Sequence, residues 1–185
     1  MAGHGGDVIK ELQTDHREVE ELFTQIMQAT GEHRKSLLDE VTIELVRHSV
    51  AEEAYLYPAV REHVSGGDAM ADREVEDHAQ VERLLKEIEG TEAGDPRLDT
   101  LAAALVGEVT SHVRDEEQNL FPALRAACSQ ADLEALGNQV RRAKTTAPTR
   151  PHPGAPSSPA ARKLLAPGVG LIDRVRDYVS DRGAA

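Results

Sequence analysis

The 185-residue chain has no tryptophan, a single cysteine and only 3% aromatic residues. One cysteine, Cys128, cannot close an internal disulfide or build a thiolate zinc site, which points away from an oxidising compartment and toward the cytoplasm. No apolar run approaches the ~20 residues of a membrane span, and the N-terminus, MAGHGGDVIKE, lacks the charged-then-apolar form of a signal peptide. A soluble intracellular protein with no membrane partner is expected. Positive charge is scarce as well: 21 Lys and Arg stand against 33 Asp and Glu, a net charge of −12. Such a chain repels phosphate backbones at long range, so nucleic acid is not an expected partner. Also missing are a Gly-rich phosphate loop, a Ser/His/Asp order for acyl transfer and any alternating strand pattern.

What remains is helical. Up to residue 144 the breaks between segments fall at Gly31, Ser65-Gly66-Gly67 and the stretch from Gly90 to Pro96, with Pro58 and Pro122 inside segments. They divide the chain into segments at about 7–30, 33–64, 68–89 and 95–128, with a weaker fifth at 130–144. Asp68 and Asp95-Pro96 suit helix starts. Long segments joined by short loops pack as antiparallel neighbours, so the expected fold is all-α, an up-down-up-down four-helix bundle over residues 1–144. Composition then changes. Residues 1–140 hold 12 basic and 30 acidic side chains, whereas 141–185 hold 9 and 3. Six of the nine prolines fall between Pro148 and Pro167, so 145–170 reads as a mostly extended Pro-rich linker. Residues 171–185 read as a short amphipathic helix, with Leu171, Ile172, Val175, Tyr178 and Val179 on one face that can dock on a partner surface.

The bundle region repeats itself. DHREVEELF at 15–23 aligns with DHAQVERLL at 77–85, and LVRHSVAEEAYLYPAVREH at 45–63 with VTSHVRDEEQNLFPALRAA at 109–127. The chain is two copies of a helical hairpin, which implies a bundle of approximate two-fold internal symmetry. Counting by threes and fours along each segment gives its buried seam. The seams read Leu12, His16, Val19, Phe23, Ile26; Val41, Leu45, His48, Glu52, Tyr55, Ala59; Val75, His78, Glu82, Leu85; and Leu105, Val109, His112, Glu116, Leu120, Ala123. A histidine stands near the middle of every one. The acidic runs Glu18, Glu20, Glu21 and Asp72, Glu74, Glu76, Asp77 read as solvated faces, and His4, His33, His63 and His152 as surface residues.

One buried histidine ordinarily finds a backbone or water partner. Four imidazoles with at least two carboxylates at one level of a small core cost several kcal/mol per unpaired ion, against a total stability of about 5–15 kcal/mol. A central cation removes the objection. His48/Glu52 and His112/Glu116 are His-x-x-x-Glu pairs whose side chains lie one turn apart and point the same way. The donors exceed what one catalytic ion takes and suit two ions about 3.5–4 Å apart. Imidazole with carboxylate suits iron, with manganese or zinc as substitutes.

The order His16, His48-x-x-x-Glu52, His78, His112-x-x-x-Glu116 resembles the haemerythrin-like family, also described as HHE cation-binding proteins, over about residues 7–128. Ferritin-like bundles, built on Glu-x-x-His, use the opposite order. The resemblance implies a four-helix bundle with two non-haem iron ions, oxo- or hydroxo-bridged. In it His16, His48, His78 and His112 are terminal ligands, and Glu52 and Glu116 bridge or chelate the pair. Three departures stand out. Glu82 occupies the position where oxygen carriers of the family have a fifth histidine. Their last motif places aspartate five residues after histidine; here Glu116 stands at four and Glu117 at five, and the repeat of Glu52 favours Glu116. Tyr55, two turns beyond His48, is a further candidate ligand whose phenolate would stabilise ferric iron, and Glu82 a candidate outer partner or extra ligand.

The expected function is a cytoplasmic haemerythrin-like di-iron protein that binds or reacts with oxygen, peroxide or nitric oxide. Glu82 and Tyr55 favour peroxide decomposition of catalase type, or a redox or gas response, over oxygen transport. The alternative is a non-enzymatic iron-binding sensor or iron-delivery protein that signals through its C-terminal tail to a protein partner. A helical interaction module without metal is the third reading.

Overall fold

The computed structural model describes residues 5–154 and 159–179, with side chains described to 154 and again over 167–178. The elements run α1 (Val8–Gln28), α2 (Gly31–Ala51), a π-turn π1 (Glu52–Leu56), α3 (Tyr57–His63), α4 (Gly67–Glu89), α5 (Arg97–Asp115), a second π-turn π2 (Glu116–Leu120), α6 (Phe121–Ala127), α7 (Gln130–Thr146) and α8 (Pro159–Val179). Because α2, π1 and α3 are one continuous rod, as are α5, π2 and α6, the bundle has four rods. The expected all-α bundle is present, and no strand occurs among the described residues.

Local chemistry sets the boundaries. The Asp7 carboxylate accepts the Lys10 N–H at 2.9 Å and opens α1. Ser129 and Asp132 form a reciprocal capping box that opens α7. Short connections fold α1 against α2 and α4 against α5, and the two hairpins pack on each other. The core has two apolar clusters. One gathers Val19, Phe23, Ile26, Leu38, Val41, Leu45, Leu85, Leu105 and Val109. The other gathers Val8, Leu12, Leu56, Tyr57, Val60, Leu120, Phe121, Leu124, Leu133 and Val140. Between them along the rods lies a polar layer of buried histidines and acids.

The π-turns shift the helical register of the segments after them. The Tyr57 N–H reaches back five residues to the Glu52 carbonyl, and the Phe121 N–H five residues to that of Glu116. Each widened turn takes up one extra residue, so the buried face advances by one position. The seam expected at Tyr55, Ala59 and Ala123 is therefore found at Leu56, Tyr57, Val60 and Leu124. Pro58 and Pro122, which have no N–H to donate, come directly after.

The C-terminal region departs from an extended linker. The fifth helix, α7, packs along α1 and α2, and α8 begins at Pro159, not at 171, with Pro167 inside it. Residues 155–158 of the expected linker and 180–185 of the expected terminal helix lie outside the described residues. The loop between α7 and α8 is tied down. Oδ2 of Asp173 accepts the backbone N–H groups of Thr149 and Arg150 at 3.3 and 3.2 Å and lies 2.9 Å from Nε2 of His152. Arg150 bridges Glu89 on α4 and Asp177 on α8 at 2.9 and 2.8 Å. The polar side of α8, through Asp173 and Asp177, thus faces the protein, while Leu171, Ile172, Val175 and Tyr178 face outward. The expected apolar face exists, turned away from the bundle. His152, expected at the surface, is half-buried in this clasp.

Candidate metal centre

Each of the four seam histidines comes from a different rod, and all four are buried. Every ring has a carboxylate near its Nδ1. Glu117 lies 2.9 Å from His16 Nδ1, Asp15 3.2 Å from that of His48, Glu53 3.3 Å from that of His78, and Glu74 2.9 Å from that of His112. An acid at Nδ1 draws the proton of a neutral imidazole there and leaves the Nε2 lone pair free. The Nε2 atoms then converge. Those of His78 and His112 lie 3.1 Å apart, and the His16 and His48 ring centroids 5.1 Å apart.

The two glutamates sit between the histidine pairs. Oε1 of Glu52 is 3.1 Å from His48 Nε2, while its Oε2 is 3.3 Å from His78 Nε2. Oε2 of Glu116 lies 3.4 Å from His16 Nε2 and 3.6 Å from His112 Nε2. Three overlapping groups of donors are close enough to hold a cation: His16, His48, Glu52 and Glu116; Glu52, His78 and His112; and Glu74, His112 and Glu116. Glu52 and Glu116 each belong to two of them.

The donors fit a metal. His16 Nε2, Glu52 Oε1 and Glu116 Oε2 are buried and make no hydrogen bond, which is costly unless a cation takes up their lone pairs. Without that cation the cluster holds protons instead. Burial opposes the charge on His48, but Glu52 and Asp15 outweigh it and push the imidazole up to about 10. Glu52 and Glu53 do the same for His78, also to about 10. Glu52 is held well below the usual carboxylate range by His48 and His78 in spite of its burial. Burial pushes Glu74 up to about 7, with nearby Glu116 adding to the effect.

The phenol that enters the cluster belongs to Tyr57. Its hydroxyl donates to Glu116 Oε1 at 3.0 Å and lies 3.1 Å from His78 Nε2 and 3.5 Å from Glu52 Oε2. Burial, then the charges of Glu116 and Glu52, hold it well above the ordinary phenol value. Tyr55, expected there on a regular helical count, packs half-buried against the second apolar cluster. The extra residue of π1 makes the exchange. Glu82 is not among the grouped donors; its Oε1 accepts the His152 backbone N–H at 2.9 Å. Of the two adjacent glutamates, Glu116 faces the centre, whereas Glu117 reaches the outer nitrogen of His16 and pairs with Arg17. Glu74, expected on a solvated face, is fully buried.

Above the histidines is a cavity of about 20 Å³, enough for a water-sized molecule. The four histidines form its floor, and Val19, Leu45, Val81, Val109 and Val113 line much of the rest.

The donor order, the rods that present it and the helical topology agree with a known family in sequence. The Hemerythrin HHE cation binding domain family matches residues 7–124. The chain belongs to this family. It is similar to an uncharacterized hemerythrin-like protein of Schizosaccharomyces pombe, 26% identical over 167 residues that cover 89% of this chain and 82% of that protein. A DNA nickase of Nostoc is 29% identical over 135 residues, 72% of this chain but only 38% of that protein. Among solved structures, the crystal structure of a hemerythrin HHE cation binding domain-containing protein from Mycobacterium kansasii aligns with a TM-score of 0.66. That match is 25% identical and covers 75% of this chain and 85% of the other. The HHE match ends at residue 124, so α7 and α8 lie beyond it. No described helix is long and apolar enough to cross a membrane.

Proposed function

We propose that this HHE protein is a non-haem di-iron protein that binds or reacts with oxygen, peroxide or nitric oxide in the cytoplasm. The observation that carries the reading is the shared position of Glu52 and Glu116, each set between a histidine of one pair and a histidine of the other. On this reading His16 and His48 would hold one ion and His78 and His112 the second, with Glu52 and Glu116 placed to serve both. A pair of ferrous ions held by these residues would supply two electrons for the reduction of oxygen or peroxide. The chain's part is to orient the imidazoles through their Nδ1 acids, to set the Tyr57 hydroxyl between Glu116 and His78, and to limit the reactant by a small, largely apolar cavity.

Peroxide decomposition or a gas response is favoured over oxygen transport. The cavity is lined by four histidines rather than five, the phenol of Tyr57 lies beside His78 in the same cluster, and Glu82 is engaged with His152. The acidic bundle argues against nucleic acid as its partner. The experiment is iron analysis of protein produced with iron in excess, with optical spectra before and after peroxide and nitric oxide. About two irons per chain and a spectrum that responds to either ligand are expected. Less than about a tenth of an iron per chain, with no uptake on anaerobic reconstitution, overturns the reading.

The sensor or delivery alternative has one observation in its favour. Leu171, Ile172, Val175 and Tyr178 project from α8 away from the bundle. A metal-dependent partner interaction that deletion of residues 159–185 abolishes, with peroxide chemistry unchanged, selects that reading.

A further inference from the structure

Lys144 is buried, yet it comes from α7, beyond the HHE match. Its Nζ lies 2.6 and 2.7 Å from the two oxygens of Asp15 and 2.9 Å from Oε1 of Glu11. Oδ2 of Asp15 is the atom 3.2 Å from His48 Nδ1. His48 in turn presents Nε2 to the centre, 3.1 Å from Glu52. An ammonium, a carboxylate and an imidazole thus form a line that ends at the proposed metal position. A lysine is a costly way to pin a helix inside a protein, since its charge must be desolvated. The apolar side of α7, with Leu133 and Val140 fully packed, already holds that helix to the bundle.

The other half of the repeat is built differently. His112 is the equivalent of His48, and the acid at its Nδ1 is Glu74. Neither oxygen of Glu74 makes a hydrogen bond, and Asp115, the further carboxylate near it, is paired with Arg73 at 3.4 Å. A cation therefore grips the acid behind His48 directly, whereas among the described residues none grips the acid behind His112.

We propose that Lys144 is a positioning residue that makes the two metal positions unequal. By gripping both oxygens of Asp15 it withdraws negative charge from the carboxylate that polarises His48. His48 is then a weaker donor than His112, and the ion at the His16/His48 position is the easier to reduce and the more weakly held. This rests on the di-iron reading above.

The test uses the full chain and the variants Glu11→Gln and Lys144→Met/Glu11→Gln, the second of which removes one buried acid along with the cation. Helicity and iron content are measured first, then stepwise anaerobic Fe²⁺ binding and a potentiometric titration followed by electron paramagnetic resonance. The wild type is expected to show two distinguishable binding steps and two potentials. In Lys144→Met/Glu11→Gln the weaker dissociation constant is expected to tighten about tenfold, the scale of outer-partner effects on metal affinity. The higher potential is expected to fall toward the lower. Glu11→Gln alone leaves Lys144 to Asp15 and shifts the weaker site the opposite way, so it decides the matter if the double variant does not fold. Folded, iron-loaded variants with both potentials and both affinities unchanged reduce Lys144 to a pin for α7 and overturn the inference. A wild-type chain that takes up no metal overturns the di-iron reading, and this inference with it.

Discussion

Tyr57 and Phe121 stand at the same point of the two repeats, each closing a π-turn onto a glutamate of the centre, and they differ there by one hydroxyl. Phe121 stacks on His16, with ring centroids 5.8 Å apart and planes 9° from parallel. Tyr57 instead donates to Glu116 and touches His78. At this point of the repeat a single polar atom breaks the two-fold symmetry of the hairpins, at the side where the His78/His112 pair lies.

That atom is open to a direct test. Ferric protein whose phenol ligates iron has a broad visible band; Tyr57→Phe is expected to remove it and Tyr55→Phe to leave it. In the metal-free chain Tyr57→Phe loses one buried hydrogen bond and about 1 kcal/mol of stability, measured by urea denaturation. A band that survives in Tyr57→Phe but not in Tyr55→Phe shows that the phenol was assigned to the wrong residue.

Metal uptake should depend on pH in a defined direction. His48 and His78 are held near 10 in the metal-free centre, so both carry protons at neutral pH. Cation binding requires neutral imidazoles and expels those protons. Below about 10, apparent affinity is expected to rise about tenfold per pH unit for each proton released, and a weakly buffered solution should acidify on adding metal. The metal-free fold has the opposite trend. The folded values lie above the ordinary 6.5, so this contribution to stability is fully present below about 6.5 and lost as pH rises through about 10.

Removing one ligand separates a metal protein from a plain helical module. His48→Ala and His112→Ala are expected to remain helical and to lose half or more of the bound iron. A hundredfold excess of metal over its dissociation constant stabilises the wild type by about 3 kcal/mol; the variants should gain much less in a thermal melt. Unchanged or raised stability, with no metal response in any form, favours the module.

The packing of α8, which lies against both α7 and π1, can be loosened at its contact with α7. A Cβ at Gly170 would meet the Thr146 and Ala147 carbonyl oxygens at 2.4 and 2.6 Å. Gly170→Ala should therefore force α8 off the end of α7. The expected outcome is faster proteolysis within 155–175, with iron content and the bundle's melting midpoint unchanged. Loss of iron from this variant makes the tail part of the metal site.

Much of this protein was legible before its structure. The helix boundaries fell within a few residues of the observed ones because glycine clusters where rods end, at Gly31, Gly66-Gly67 and Gly90 to Gly94. The repeat paired His16 with His78 and His48 with His112, and the polar seam exposed Glu52 and Glu116. Tyr57 was hidden because a π-turn leaves little mark on residue spacing, and one extra residue moves the seam from Tyr55 to its neighbours. Asp15, Glu53 and Glu117 each directly precede or follow a seam residue, where acids ordinarily face solvent; the approach of a neighbouring rod buries or shelters them. Lys144 and the polar side of α8 were missed for a related reason. A charged residue on an amphipathic helix reads as outward unless its partner, distant in sequence, is already known.

The matched π-turns also bear on ancestry. Each begins at a glutamate, ends one residue before an aromatic and is followed by Tyr-Pro or Phe-Pro at the same place in its hairpin. A widened turn is a rare local conformation that occurs frequently at functional sites and takes one more residue than a regular helical turn. One insertion in a single ancestral hairpin, copied when that hairpin was duplicated and fused, accounts for both. The forerunner would then have been half as long, pairing with an identical copy of itself to complete the ring of four imidazoles. Tyr57 opposite Phe121, and Lys144 behind Asp15, are points at which the two halves differ.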